Sequence, residues 1–210
     1  MNFETVSFTM DSANPAKDRA LSRALERIDQ RLSRDLRALR QAKSLTLAQI
    51  SERIGRSVGW MSQVERGLSM PTMADLRRLA DLFGVPMTLF YTREQPADTD
   101  GEVVVRAAAR RQLGRTRQGL ADELLSPSLG GAFEMRRRVF APGAESVAQP
   151  RPDTEEAGFV LSGRLVMEID GVAQELDKGD SFSFKGKSVR WRNPADTEAV
   201  VIWVMSPPVY

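Results

Sequence analysis

The chain has no cysteine and no histidine among its 210 residues. The first absence excludes disulfides, thiolate-bound zinc and a cysteine nucleophile. The second removes the commonest transition-metal ligand and the usual general base near neutral pH, so catalysis would fall to carboxylates, lysine, tyrosine or hydroxyls. Long apolar runs are missing as well. Nothing approaches the ~18 consecutive apolar residues of a membrane span, and the opening MNFETVSFTMDSANPAKDRA lacks the cationic start and apolar block of a secretory signal. The expectation is a cytoplasmic protein with no membrane partner. What is present, 41% hydrophobic and 28% charged residues, suffices for a buried core. It fits one large domain or two small ones, at roughly 100–200 residues per domain.

The formal charge of +2 conceals an asymmetry. Residues 1–92 carry 14 basic against 10 acidic side chains, and residues 93–210 carry 16 against 18. Within 30–92 the count is 10 basic to 5 acidic. A compact basic segment joined to a mildly acidic one points to a nucleic-acid partner for the first half.

The period of the apolar residues changes along the chain. Between Pro15 and Lys43, Leu21, Leu25, Ile28, Leu32, Leu36 and Leu39 recur every three or four positions, one face of a helix. Residues 92–101 have no apolar period and contain a proline and a glycine, so they read as a linker. The expected division is a tail and helical extension at 1–29, a helical domain at 30–91, the linker, and a β domain at 102–210.

Residues 44–91 carry the most specific pattern. Thr46 with Gln49 forms a capping box that predicts a helix from Leu47 to about Ile54, ended by Gly55. Ser57 caps a second helix, Val58 to Arg66, ended by Gly67, so only a tight angled turn separates the two. Ile50, Ile54, Met61 and Val64 are the expected contacts between them, with small Ser51 and Gly55 at a close crossing and Trp60 in the core. Thr72 and Asp75 cap a further helix through Leu76, Leu79, Ala80 and Leu82, closed by Gly84, and Pro86 opens a short fifth helix from Met87 to Tyr91. The run TLAQISERIGRSVGWMSQVERGLSMPTMADLRRLADLFGVP resembles the Xre or lambda-repressor-like helix-turn-helix of bacterial regulators, with Ser62, Gln63, Val64, Glu65, Arg66 and Gly67 matching the end of its second motif helix. It departs at Leu47, where relatives carry a phosphate-contacting glutamine, and at Ser51, where alanine is usual.

A helix fits the major groove and reads base edges from its exposed N-terminal face. The expected base contacts are Ser57, Val58, Gly59, Ser62 and Gln63. Gln63 can pair bidentately with adenine, and Val58 can meet a thymine methyl. Thr46, Arg56, Arg66 and Arg77, with Arg78 beside it, are the expected phosphate contacts.

Residues 102–210 alternate short β-branched and aromatic runs with turns. The runs are Val103–Val105, Phe133–Phe140, Phe159–Leu161, Leu165–Ile169, Phe182–Phe184, Val189–Arg192 and Val200–Met205. This region is similar to the cupin family, a double-stranded β-helix or jelly roll. Glu156 with Gly163 matches one family motif, and Gly179, Asp180 and Asn193 match the other. Metal-binding cupins place histidines where this chain has Gln149 and Arg151, or Pro150 and Pro152, and again at Val189 or Arg190. One surviving carboxylate, Glu156, does not hold a divalent transition metal, so neither a metal nor any other cofactor is expected.

The overall expectation is a two-domain α + β protein, a five-helix helix-turn-helix bundle followed by a cupin barrel. The combination is similar to bacterial transcription regulators, which implies a homodimer on a palindromic double-stranded operator. Its barrel would bind a small-molecule effector, an amine or an amino acid, at Arg151, Glu155, Glu156 and Arg190. It is not expected to be an enzyme. The alternatives are a barrel serving only for dimerisation and a fused carboxylate-dependent enzyme.

Overall fold

A computed structural model describes residues 30–90, 103–115, 118–148 and 150–209. The tail and extension at 1–29, with Leu21, Leu25 and Ile28, lie outside the described residues, as do the linker at 92–101 and Gln149.

Helix α1 covers 30–42 and turns Leu32, Leu36 and Leu39 inward. Helix α2 (Leu47–Ile54) starts at the Thr46 capping box, in which Gln49 N–H donates to Thr46 Oγ1 at 3.2 Å and Thr46 N–H donates to Gln49 Oε1 at 2.8 Å. Its end is set by Gly55 at φ +69. An added Cβ there would meet nothing within 4 Å, so glycine is needed for the left-handed turn, not for a close helix crossing as the sequence suggested. Helix α3 (Val58–Glu65) is capped by Ser57 Oγ, and α4 (Met73–Phe83) by a Thr72/Asp75 box. Ile50, Ile54, Met61, Val64, Leu76, Leu79 and Phe83 close one core with α1. Trp60 packs on its edge, half-buried.

The expected fifth helix is a single 3-10 turn, Met87–Phe90. Four residues close too few hydrogen bonds to propagate an α-helix; the turn holds Leu89 and Phe90 in the core.

Among the described residues ten antiparallel strands follow: β1 (Arg111–Arg115), β2 (Leu120–Leu124), β3 (Glu134–Phe140), β4 (Glu145–Ala148), β5 (Glu155–Ser162), β6 (Leu165–Ile169), β7 (Val172–Leu176), β8 (Ser181–Lys185), β9 (Val189–Arg192) and β10 (Ala199–Ser206). They form a six-stranded sheet in the order β1-β2-β3-β10-β5-β8 and a four-stranded sheet in the order β4-β9-β6-β7. Phe140, Val160, Met167, Phe184, Val189, Trp191, Val201 and Trp203 fill the space between them. Val103–Val105, read as a strand from its composition, is not one. Val103 is 82% exposed and the segment pairs with nothing, so its branched side chains have no pleated surface to pack on.

Asn193 ties the barrel closed. Its Nδ2 donates to the carbonyls of Phe140, Ala141 and Thr197 at 3.0, 3.2 and 2.8 Å, and its Oδ1 accepts from Ala195 N–H. Asn193→Ala strands several buried polar groups at once. It is expected to cost about 1–3 kcal/mol, read as a lower urea midpoint with an unchanged slope.

Candidate functional site

The α2–α3 turn fixes what α3 presents. Met61 and Val64 face the core, which leaves Val58, Gly59, Ser62 and Gln63 along one stripe of the helix beside the cap Ser57. Val58 is 47% exposed, Gln63, Ser57 and Gly59 are exposed, and Ser62 is half-buried. All five expected base-reading residues therefore share one accessible face. An added Cβ at Gly59 would meet nothing within 4 Å. Among the described residues no contact requires that glycine in the first turn of α3, where it is less favourable than alanine by up to about 1 kcal/mol.

The expected phosphate contacts divide. Arg66 and Arg77 are exposed on α3 and α4, Arg66 with its Nε donating to Ser62 O at 3.2 Å. Thr46 is engaged in its capping box. Arg56 is engaged more firmly, donating from Nε and Nη2 to Asp75 Oδ1 and Oδ2 at 2.9 and 2.8 Å, with its guanidinium 5.0 Å from the Trp60 ring centre. Asp75 is 1% exposed and also accepts from Thr72 N–H and Oγ1–H. Arg78 donates to Ile54 O at 3.1 Å and closes the end of α2. Arg40 holds Glu65 bidentately at 2.6 and 2.9 Å, joining α1 to the end of α3. The orientation of the exposed stripe is thus set by two arginine–carboxylate pairs that grip the motif from both sides.

In the barrel, strand alternation separates the four expected pocket residues. Glu156 is 6% exposed and points inward, whereas Glu155 and Arg190 are exposed on the outer faces of the two sheets. Arg151 Nη1 donates to Glu156 Oε1 at 3.0 Å, and Trp203 Nε1–H donates to Glu156 Oε2 at 2.8 Å. Arg138 lies over the Trp203 ring at 4.4 Å. It also pairs with Asp122 at 3.2 Å, and Asp122 pairs with Arg136 at 3.3 Å. Arg136 reaches Glu134 at 2.7 Å. Burial pushes the Glu134 carboxyl up and lowers the Arg138 guanidinium from its ordinary value, Asp122 opposing the second shift.

Sequence reading missed this interior network. Glu134, Arg136 and Arg138 alternate on β3 in line with Phe140, a period of two that marks a shared face; charge alone argued for solvent. Beside the Arg151 end lies a cavity of about 280 Å³ lined by Ala42 and Lys43 at the end of α1 and by Arg151, Pro152, Asp153, Thr154, Pro208 and Val209.

On the outside of the six-stranded sheet, Phe159 pairs with Ile202 and Ala157 with Val204. Phe159 and Leu161 are 45% and 48% exposed, so the middle of this face is apolar.

Comparison with known proteins places two family profiles on the chain. The profile described as a helix-turn-helix domain matches residues 31–90, and the one described as a cupin domain matches residues 136–205. The HTH-type transcriptional regulator SutR of Escherichia coli (strain K12) is 29% identical over 161 residues, covering 76% of this chain and 85% of that protein. The HTH-type transcriptional regulator PuuR of the same strain is 24% identical over 149 residues, covering 70% of this chain and 79% of that protein. A crystal structure of an HTH_3 family transcriptional regulator from Vibrio cholerae overlaps 88% of this chain and 99% of its own at 19% identity and a TM-score of 0.42.

The Arg56–Asp75 pair generates a pH dependence. Four donated hydrogen bonds, the Arg56 pair foremost, hold the Asp75 carboxyl at about 2 against an ordinary 3.8. A lowered folded-state value gives stability that is present above the ordinary value and lost as pH falls through the folded one. The helical domain is therefore expected to lose at most about 2 kcal/mol between pH 4 and pH 2 through this group, one unit being about 1.4 kcal/mol. Asp75→Asn should show that loss already at pH 7 and a flatter acid limb in denaturant titrations followed by far-UV circular dichroism.

Proposed function

For a chain that joins a helix-turn-helix domain to a cupin domain, we propose a transcription regulator that binds duplex DNA in sequence-specific fashion and takes a small-molecule effector in its barrel. The observation that carries the first part is the α3 stripe. Five residues with short or hydrogen-bonding side chains stand together on the accessible side of a helix whose other side is buried and whose angle is clamped. Gln63 is the base reader with a two-point adenine code, Val58 the thymine-methyl contact, and Ser57 and Ser62 adaptable partners. Gly59 allows the duplex to approach the helix closely. Arg66 and Arg77 contact phosphates; Arg56 and Thr46 act by holding the motif in shape. The names of the relatives, both transcriptional regulators, support this reading.

The barrel is read as a metal-free sensor. Both Glu156 oxygens are occupied by internal donors, and a guanidinium stands where a metal-binding relative would offer an imidazole, so the residues do not fit a divalent metal. Half-buried Arg151 with buried Glu156, Trp203 and Arg138 suits a small polar ligand, an amine or an amino acid, and among the described residues no interior group is arranged as a nucleophile with its base. The apolar middle of the outer face at Phe159, Leu161, Ile202 and Val204 supports a homodimer, because in an isologous contact the residues at the two-fold axis meet their own copies and an apolar centre avoids like charges there. Two such protomers would offer α3 to half-sites about one DNA turn, ~34 Å, apart.

An unbiased oligonucleotide selection with the full chain at moderate salt is expected to enrich a two-fold symmetric sequence; enrichment of none would refute the reading. On the selected duplex, Gln63→Ala should lose about 1–3 kcal/mol of discrimination. Gly59→Ala should melt no lower than the parent, gaining up to about 1 kcal/mol, yet bind more weakly. Loss of stability without loss of affinity would reverse its assignment.

Thermal-shift titration with polyamines and amino acids is expected to find at least one stabilising ligand, with the gain lost in Glu156→Gln. If no such ligand exists, the barrel is a dimerisation module, and Phe159→Asp should then give monomers in sedimentation.

A further inference from the structure

The helical core is not completed by helical residues. Leu124 and Leu129, each 1% exposed, belong to the same buried cluster as Leu36, Ile50, Met61 and Phe83, and Leu113 packs against it. These three residues come from β1, from β2 and from the loop that follows β2. Arg111 stands directly opposite Leu124 in the β1–β2 register and pairs with Asp35 of α1 at 2.6 Å, the two side chains being 2% and 8% exposed. Burial raises the Asp35 carboxyl and Arg111 opposes that rise, the balance of a fully desolvated pair. Behind Leu129, an added Cβ on Gly130 would lie 3.7 Å from Ala38.

The same β2 strand reaches into the barrel two residues earlier, through Asp122. From Asp122 the contacts run to Arg138, to the Trp203 ring, to Glu156 and to Arg151 at the cavity, each at the distances given above.

We infer that the β1–β2 hairpin is a shared element that couples the barrel interior to the DNA-reading helices, with Asp122 as its sensing end and Arg111, Leu113 and Leu124 as its output end. The inference rests on the proposal that the barrel holds an effector, and it adds how occupancy reaches the helices. A strand is stiff along its length, and a buried ion pair with apolar flanks tolerates displacement poorly. A change in the pairing of Arg138 therefore moves β2, and β2 carries its hairpin partner β1 with it, which disturbs α1 through Arg111 and the Met87–Phe90 turn on which β1 packs.

The experiment is amide hydrogen exchange by mass spectrometry on the full chain, with the amino-acid substitution itself as the perturbation. Asp122→Asn is expected to raise exchange about 10-fold in peptides covering 30–42 and 83–90, through increased local opening, although Asp122 touches neither. Val172→Ala, on the exposed outer strand β7, should leave those peptides unchanged. Should Asp122→Asn fail to fold, Trp203→Phe, which removes the indole N–H to Glu156 and shrinks the ring under Arg138, is expected to raise exchange in the same peptides by about 3-fold. Exchange that changes only within the barrel overturns the inference. The readout needs neither DNA nor effector, so a failed oligonucleotide selection or ligand screen would refute the proposed function and leave this result standing.

Discussion

The angle between α2 and α3 is the constraint on which the exposed α3 face depends. Two residues, Arg56 and Ser57, stand between the Gly55 cap and the start of α3, too few to fix a helix pair by chain geometry alone, and Gly55 contributes only the reversal of direction. What makes the angle single-valued is the Asp75 carboxylate. It sits at the N-terminus of α4, completes that helix's capping box, and receives both prongs of Arg56 from the turn. One buried group thus starts α4, pins the turn and orients the arginine that lies on Trp60. Arg40 and Glu65 repeat the logic at the other end of α3. Apart from Ser57, which caps α3, the exposed stripe can remain free of structural duties because these pairs hold the helix in place.

The barrel solves a different problem. A barrel interior without imidazole must still satisfy an inward glutamate, and here indole and guanidinium donors do so. Burying so many charges is costly unless each is paired and hydrogen-bonded. The network meets the pairing condition by sharing: Asp122 serves two arginines, Glu156 serves Arg151 and Trp203, and the Trp203 ring serves Arg138 from its face, while Arg138 Nε and the Glu134 oxygens are paired by charge without a hydrogen bond. Sharing makes the members interdependent, so a ligand that draws off one partner alters the rest. Interior ion pairs are therefore better suited here to responding than to stabilising.

What could be read from the sequence was local chemistry. The caps at Thr46, Ser57 and Thr72, the stop at Gly55 and the apolar spacing from Leu32 to Phe83 act over three or four residues, and they locate α2, α3 and α4 almost to the residue. Strands were legible where they are central and apolar, as in β6, β9 and β10. They were illegible at β1, β4 and β7, which are sheet edges carrying polar residues, as exposed edges commonly do. The site divided along the same line. Residues on the α3 face follow from helical period alone, but the pocket depends on strand register, and a shift of one position sends a side chain to the opposite face. Glu155 and Glu156 differ by that one position. The inward arginines of β3 were hidden for a further reason: in isolation a charged residue is better solvated than buried, and only its partners on β2 and β10 reverse the preference.

Register also changes the meaning of the charge count. Three of the five acidic residues in 30–92 are withdrawn from the surface: Asp35 against Arg111, Glu65 against Arg40 and Asp75 against Arg56. The acids left facing solvent are Glu52 and Asp81, while Arg34, Arg37, Lys43, Arg53, Arg66, Arg77 and Arg78 remain exposed in the same segment. Internal pairing therefore separates the signs, and the outer field of the helical domain is more uniformly positive than its composition. Such a field would attract a polyanion irrespective of its sequence, speeding encounter and giving a salt-dependent affinity. The ion pairs that fix the angle of α3 are the same ones that clear negative charge from the surface around it, so the geometry of the exposed α3 face and the positive field around it have one structural origin.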